Sequence, residues 1–297
     1  MEHIEYLFAA KIRPINPSVF DAPTFTLLRS LSLAAIPLKP PPSSDGAEED
    51  LTKSSRFFGI HFAWNMLQDG NYELLSKDSK GHAFQVVRDF LGWQLCFELR
   101  ELFITRCIAN LKRFTTISMS LKVAMSALST FAQEGSAGPL LCRLDEEQLL
   151  LSVIFHALTE YKRMAVAAAQ ERTEKGDLEE GQELGSLKLC GNASHHETMQ
   201  DFFGLLEFIL THSSLMLNTE QIDSLWQSLV VNTISEADRD RAFVWLDSLV
   251  KNAKLGHKPF SDKDCMYILL QKIPTLEFNI LSFAGYNLVQ CYFYYAN

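Results

Sequence analysis

The chain has 297 residues, 47% hydrophobic and 21% charged, with 27 Lys+Arg against 36 Asp+Glu and a formal net charge of −9. That apolar share excludes a mostly disordered chain, and the acidic balance argues against wholesale binding of nucleic-acid phosphates, which needs a basic surface. No apolar run approaches the ~18–20 residues of a membrane span, and the length allows roughly two domains or one elongated array.

In chain order, residues 1–36 read as a short N-terminal helical segment. Residues 37–53 read as a linker, because Pro40, Pro41 and Pro42 cannot continue a helix and the acidic run Asp45 to Asp50 has nothing to bury. Residues 54–170 then carry helical periodicity. Leu121, Ala124, Met125, Leu128 and Phe131 mark one stripe. A second begins after Asp145 and runs through Leu149, Val153, Ala157, Leu158, Tyr161 and Ala165, with Asp145 and Gln148 spaced as a capping box. Residues 171–196 read as a disordered acidic, Gly-rich loop.

Residues 197–297 return to helical repeats. Met199, Phe202, Phe203, Leu206 and Ile209 form a stripe. Cap signals at Asn218-Thr-Glu-Gln221 and Ser235-Glu-Ala-Asp238 precede stripes at Ile222, Leu225, Trp226, Leu229 and at Ala242, Trp245, Leu246, Leu249. Ser261 is placed to cap a helix ending before Pro274, and a last helix is expected from about Glu277 towards Tyr295, truncated at the C-terminus. No strand pair is expected. The pattern predicts an all-α fold of about ten helices, an armadillo/HEAT-like solenoid of stacked hairpins; a compact irregular helical domain is the alternative.

The six cysteines (Cys96, Cys107, Cys142, Cys190, Cys265 and Cys291) are scattered without a Cys-x-x-Cys, and are expected as free thiols in a reducing compartment. The start, Met1-Glu2-His3-Ile4-Glu5, lacks the basic opening of a signal peptide. The expected location is the cytoplasm, with the nucleus as a second compartment.

The search for chemistry names no catalytic, cofactor-binding or metal residue. Cys190, His195 and His196 offer three ligand types, but they read as part of a solvated loop, since a structural zinc needs four ligands at paired spacings. Asp238-Arg239-Asp240-Arg241 reads as a solvated, capped helix start. Arg100, Arg106, Lys112 and Arg113, interleaved with Phe103 and Phe114, read as a solvated helix face. Tyr286 and Tyr292 to Tyr295 read as a truncated interface, aromatics expected to meet a further helix; a base-stacking platform is disfavoured because no basic residue lies between Glu277 and Asn297. No Gly-rich phosphate loop, His-Glu-x-x-His or Gly-x-Ser-x-Gly occurs.

Several packing motifs have a recognisable order. They are Leu217-Asn-Thr-Glu-Gln-Ile-Asp-Ser-Leu-Trp-Gln-Ser-Leu229, Asp240-Arg-Ala-Phe-Val-Trp-Leu246, Ile273-Pro-Thr-Leu276 and Gly285-Tyr-Asn-Leu-Val289, with a weaker set at Phe103-Ile-Thr-Arg-Cys107, Asn110-Leu111 and Ser118-Met-Ser-Leu121. From about Phe90 onward the chain resembles the helical-repeat region of the very large ubiquitin-specific proteases, the fat-facets type (FAF-X) and ubiquitin carboxyl-terminal hydrolases 24 and 34. That resemblance implies an armadillo-like, non-catalytic scaffold in ubiquitin-linked pathways, a fragment or short form of a cysteine-type deubiquitinase. Its partners would be proteins, such as ubiquitin-pathway substrates or adaptors, with no nucleic acid, membrane or cofactor. An independent helical-repeat adaptor unrelated to ubiquitin is the alternative. No catalytic residue carries over. The family's nucleophile follows an Asn-x-Gly run, whereas Cys190 here precedes Gly191-Asn192, and no Cys has an evident base.

The charge is localised. Ser43 to Asp50 carries four acids and no base, and Glu171 to Glu183 carries six acids and two bases, so two segments hold nearly all of the −9. The predicted helical body is close to neutral.

Overall fold

The computed structural model describes residues 21–35, 50–52, 54–93, 97–175, 186, 188–190, 193–254 and 260. Residues 37–49 of the expected linker, the helices expected after Ser261 and Glu277, and the aromatic run from Tyr286 lie outside these. The described residues are overwhelmingly helical. They fall into two compact units that divide between Gln133 and Glu134, inside the stretch read as continuous repeats.

The first unit contains α1 (Ala22–Ala35), α2 (Phe58–Met66), the short α3 (Asn71–Leu74), α4 (Lys77–Gly92), α5 (Phe97–Arg113) and α6 (Ile117–Gln133). Asp21 starts α1 by accepting from the Thr24 backbone N–H at 3.0 Å, with Pro23 near the first helical position, where its missing N–H costs nothing. Ser76 caps α4 by accepting from Ser79 N–H. Helices α5 and α6 pair along their length, and α4 packs against α1, α2 and α6. Phe25, Phe57, Phe90, Phe103 and Leu121 are among the buried side chains, each stabilising by about 1.5–3 kcal/mol relative to exposure.

The α5–α6 turn is tight. Phe114 and Thr116 both take positive φ, and Thr116 is held by a reciprocal pair: Asp69 N–H donates to Thr116 Oγ1 at 3.1 Å, while Thr116 N–H donates to Asp69 Oδ2 at 2.7 Å. Asn110 donates from the same node to Gln68 Oε1 and Ser120 Oγ. The turn after α2 therefore fixes the turn after α5.

The second unit contains α7 (Ala137–Gln148), α8 (Leu150–Lys175), a small antiparallel pair β1 (Lys188–Cys190) and β2 (Ala193–Ser194), α9 (His195–His212), α10 (Thr219–Trp226) running into a π-helical segment (Gln227–Val231), and α11 (Glu236–Lys254). Helix α8 packs against α7, α9, α10 and the π segment, and α11 packs against α9 and the π segment.

Four expectations change in this unit. Asp145 does not open a helix; it lies in α7, and its Oδ1 accepts from Leu151 N–H at 2.8 Å, capping α8 across a break at Leu149. The 171–196 stretch is shorter as a loop than expected. Helix α8 continues through Lys175, and α9 already begins at His195. A strand pair exists, although no strand was expected. Ser194, inside the stretch expected as loop, is the N-cap of α9 in a capping box with Glu197. The Asn218–Gln221 box forms as the sequence indicates.

Candidate functional site

The most concentrated chemistry in the described residues is a buried polar junction in the second unit, where α8, α9 and α11 meet. Three sequence elements supply it. Helix α8 contributes adjacent Tyr161 and Lys162; α9 contributes His195 at its first residue; α11 contributes Asp238 in its first turn. All four are essentially buried, Tyr161 and His195 completely so.

Lys162 Nζ is ion-paired to Asp238 Oδ2. His195 Nε2 lies 3.0 Å from Asp238 Oδ1, and its Nδ1 lies 3.1 Å from the Tyr161 hydroxyl. An ionised carboxylate only accepts, so Nε2 carries the proton that bonds Asp238, and in the neutral ring Nδ1 accepts from the Tyr161 O–H. The Tyr161 and His195 rings stack at 5.5 Å and 7°. Asp238 Oδ2 also accepts from Ile234 N–H at 3.3 Å, and Ser235 Oγ accepts from Asp238 N–H at 3.2 Å. Burial pushes the Asp238 carboxyl up, but the His195 hydrogen bond and the Lys162 charge outweigh it and bring it to about 2. Burial pushes Lys162 down, opposed by Asp238.

The order hydroxyl, imidazole, carboxylate superficially suggests an activated nucleophile. Here the hydroxyl is phenolic and wholly buried, and both imidazole nitrogens are engaged. The observed contacts of the junction join α8, α9 and α11.

These positions correct two expectations. His195 is not in a solvated loop; with both ring nitrogens occupied it is unavailable as a ligand beside Cys190, which lies in β1. The Asp238–Arg241 cluster is a capped helix start, through Ser235, but it is only partly solvated, with Arg239, Asp240 and Arg241 half-buried. Asp238 is buried, and Arg239 reaches back to the Val230 carbonyl at 3.4 Å and to Thr233 Oγ1 at 3.2 Å.

The basic helix face on α5 is also revised. Arg100 is 1% exposed; its Nε donates to the Leu91 carbonyl at 2.7 Å in the last turn of α4, and its guanidinium packs beside the edge-to-face Phe97–Phe131 pair, 5.7 and 5.8 Å from the two ring centroids. A cation at a helix C-terminus is favoured by the unsatisfied carbonyls there. Arg106 sits over the Phe103 ring and 2.9 Å from His61 Nδ1. Lys112 and Arg113 end α5 as exposed basic residues.

Of the thiols, Cys107 is fully buried, and burial pushes it far above the usual range, the opposite of what a nucleophilic thiolate requires. Cys142 Sγ lies 3.2 Å from Ser214 Oγ. No group of three or more metal-ligating side chains is found among the described residues, and no helix among them is long and apolar enough to cross a membrane.

Comparison with known proteins follows the same helical pattern. The chain is 23% identical over 238 residues to ubiquitin carboxyl-terminal hydrolase 34 of Mus musculus, covering 78% of this chain and 6% of the relative, with the same figures for the Homo sapiens protein. It is 24% identical over 120 residues to the probable ubiquitin carboxyl-terminal hydrolase FAF of Drosophila melanogaster, covering 40% of this chain and 4% of that protein. The chain thus spans a small fraction of the length of these hydrolases. Residues 95–297 match the model of the UBP24/USP9X/USP9Y ARM repeat. With more than half of its residues inside that match, and helix hairpins filling its described part, the chain belongs to the UBP24/USP9X/USP9Y ARM repeat family.

Proposed function

We propose that this chain is a non-catalytic helical scaffold, the repeat region of a giant ubiquitin carboxyl-terminal hydrolase, and that it presents its helices to protein partners in ubiquitin-linked pathways. The observation that carries this reading is the match of residues 95–297 to an ARM repeat, combined with coverage of only 6% of the hydrolase relatives. What the chain shares with those enzymes is a stack of helices. Helical repeats bury one stripe per helix against their neighbours and leave extended faces for partners. The buried, strongly raised Cys107 thiol supports a packing role for that cysteine. We expect the chain in the cytoplasm, with the nucleus as a second compartment.

The test is hydrolysis of a ubiquitin C-terminal fluorophore conjugate by the purified chain. The expected result is no turnover above buffer. Turnover that is abolished by substituting any one of the six cysteines overturns the non-catalytic reading.

A further inference from the structure

His61 on α2 stands between two fixed hydrogen-bonding groups. Its Nδ1 is 2.9 Å from Arg106 Nη1 on α5, and its Nε2 is 2.8 Å from the Leu51 carbonyl in the segment that enters α2. A guanidinium only donates and a carbonyl only accepts. The geometry therefore leaves His61 one state: Nδ1 bare and accepting from Arg106, Nε2 protonated and donating to Leu51. Phe103 holds this arrangement from below, with its ring stacked on His61 at 5.7 Å and 9° and the Arg106 guanidinium 5.0 Å from its centroid.

We propose that His61 is a proton-operated clamp. Neutral, it holds Arg106 against Phe103 and ties α5 to the Asp50–Thr52 segment; protonated on Nδ1, it releases Arg106 while Nε2 stays on Leu51 and Asp50 balances the added charge. The exchange follows from charge. A proton from solvent taken up at Nδ1 consumes the lone pair that receives Arg106, and two cations then face each other at hydrogen-bond distance. The charges that bear on the ring are Arg106 from α5 and Asp50 from the entering segment. Helices α1, α3 and α4 and the Ser55–Phe57 turn also pack on α2; among the described residues none of them, Arg56 and Glu73 included, hydrogen-bonds the ring. Among the described residues Asp50 is the acid that favours the protonated ring, and it lies at the head of the segment that His61 tethers.

Burial pushes His61 below its ordinary value; the Leu51 carbonyl opposes this, Arg106 lowers it further and Asp50 raises it. The clamp is therefore closed at neutral pH and opens on acidification below about 6.5.

The experiment is ring-nitrogen NMR on the full chain with nitrogen-labelled histidine, titrated from about pH 8 to about pH 5. At the upper end His61 should show protonated Nε2 and bare Nδ1, with a midpoint below 6.5. Arg106→Gln should raise that midpoint by about half a unit or more, and Asp50→Asn should lower it. A His61 ring protonated on Nδ1 at neutral pH overturns the proposal, as does a midpoint at or above the ordinary value, or one that Arg106→Gln leaves unmoved. Hydrogen exchange adds a readout on the same chain. After correction for intrinsic rates, the Arg106 guanidinium protons should exchange several-fold faster at about pH 5 than at about pH 7.5, whereas His61→Gln, whose amide can accept from Arg106 without titrating, should flatten that difference. Equal exchange at both pH values in the unmodified chain also sinks it.

Discussion

Lys162 of α8 and Asp238 of α11, 76 positions apart, form an ion pair whose side chains are 1% and 7% exposed. Charges so far from water are tolerated only when each remaining donor or acceptor is met. Asp238 meets this through His195, Ile234 N–H and Lys162 together. Removing one partner is therefore asymmetric. Asp238→Ala strands a buried ammonium and should cost about 3–5 kcal/mol. Lys162→Met keeps the methylene packing and leaves Asp238 its His195 partner, so it should cost clearly less. Urea denaturation of both variants tests the ordering; equal losses would mean that His195 does not support the carboxylate.

The same carboxylate sets an acid limit. Its folded value of about 2 lies below its unfolded value near 3.8. An acid with a depressed folded pKa contributes stability that is fully present above the unfolded value and lost as pH falls through the folded one. The window is thus from about 4 down to about 2, with a contribution on the order of 2 kcal/mol. Stability measured across that window should fall more steeply in the unmodified chain than in Asp238→Asn, which has nothing to titrate there. Parallel pH profiles would show that Asp238 is not the group responsible.

Much of this junction was legible in the residue spacing, though not in the residue types. Lys162 lies four residues after Leu158 and three before Ala165, on the apolar line of α8. His195 extends the Met199, Phe202, Leu206 stripe backward by one turn. Asp238 sits four residues before Ala242, again on the buried side; outside the junction, Arg100 sits three before Phe103 in the same way. Reading His195, Asp238 and Arg100 as solvated concealed their burial, and Lys162 drew no reading at all, because chain-local periodicity shows that a position is buried but not which distant group neutralises it. The α7–α8 break was hidden for a related reason. Leu149 falls on the stripe yet is 62% exposed, since a left-handed residue at that point turns the helix axis.

Leu149 takes φ 57 and ψ 48, a conformation that costs an L-residue roughly 1–2 kcal/mol and that Asn adopts more readily. Its side chain is largely in water, so little burial is lost on replacement. Leu149→Asn should raise stability by about 0.5–1 kcal/mol relative to Leu149→Ala, and Leu149→Val, branched at Cβ, should fall below both. Thermal unfolding of the three variants reads this directly. Val equal to or above Asn would show that the strain at this break is relieved by some other adjustment.

Two glycines separate close helix approach from mere flexibility. A Cβ built on Gly138 of α7 comes within 2.8 Å of the His212 carbonyl oxygen at the end of α9. That neighbour is backbone, so the two helices must move apart to admit a methyl group. Gly81 in the middle of α4 meets nothing within 4 Å. Gly81→Ala should stabilise by about 0.5–1 kcal/mol through reduced chain entropy and better helix propensity. Gly138→Ala gains the same helical term but loses about 1–3 kcal/mol to overpacking, leaving it net destabilised. Chemical denaturation of each single variant, with the double variant as a check on additivity between distant sites, decides the matter: if Gly138→Ala is as stabilising as Gly81→Ala, α7 and α9 are not held in the close contact seen here.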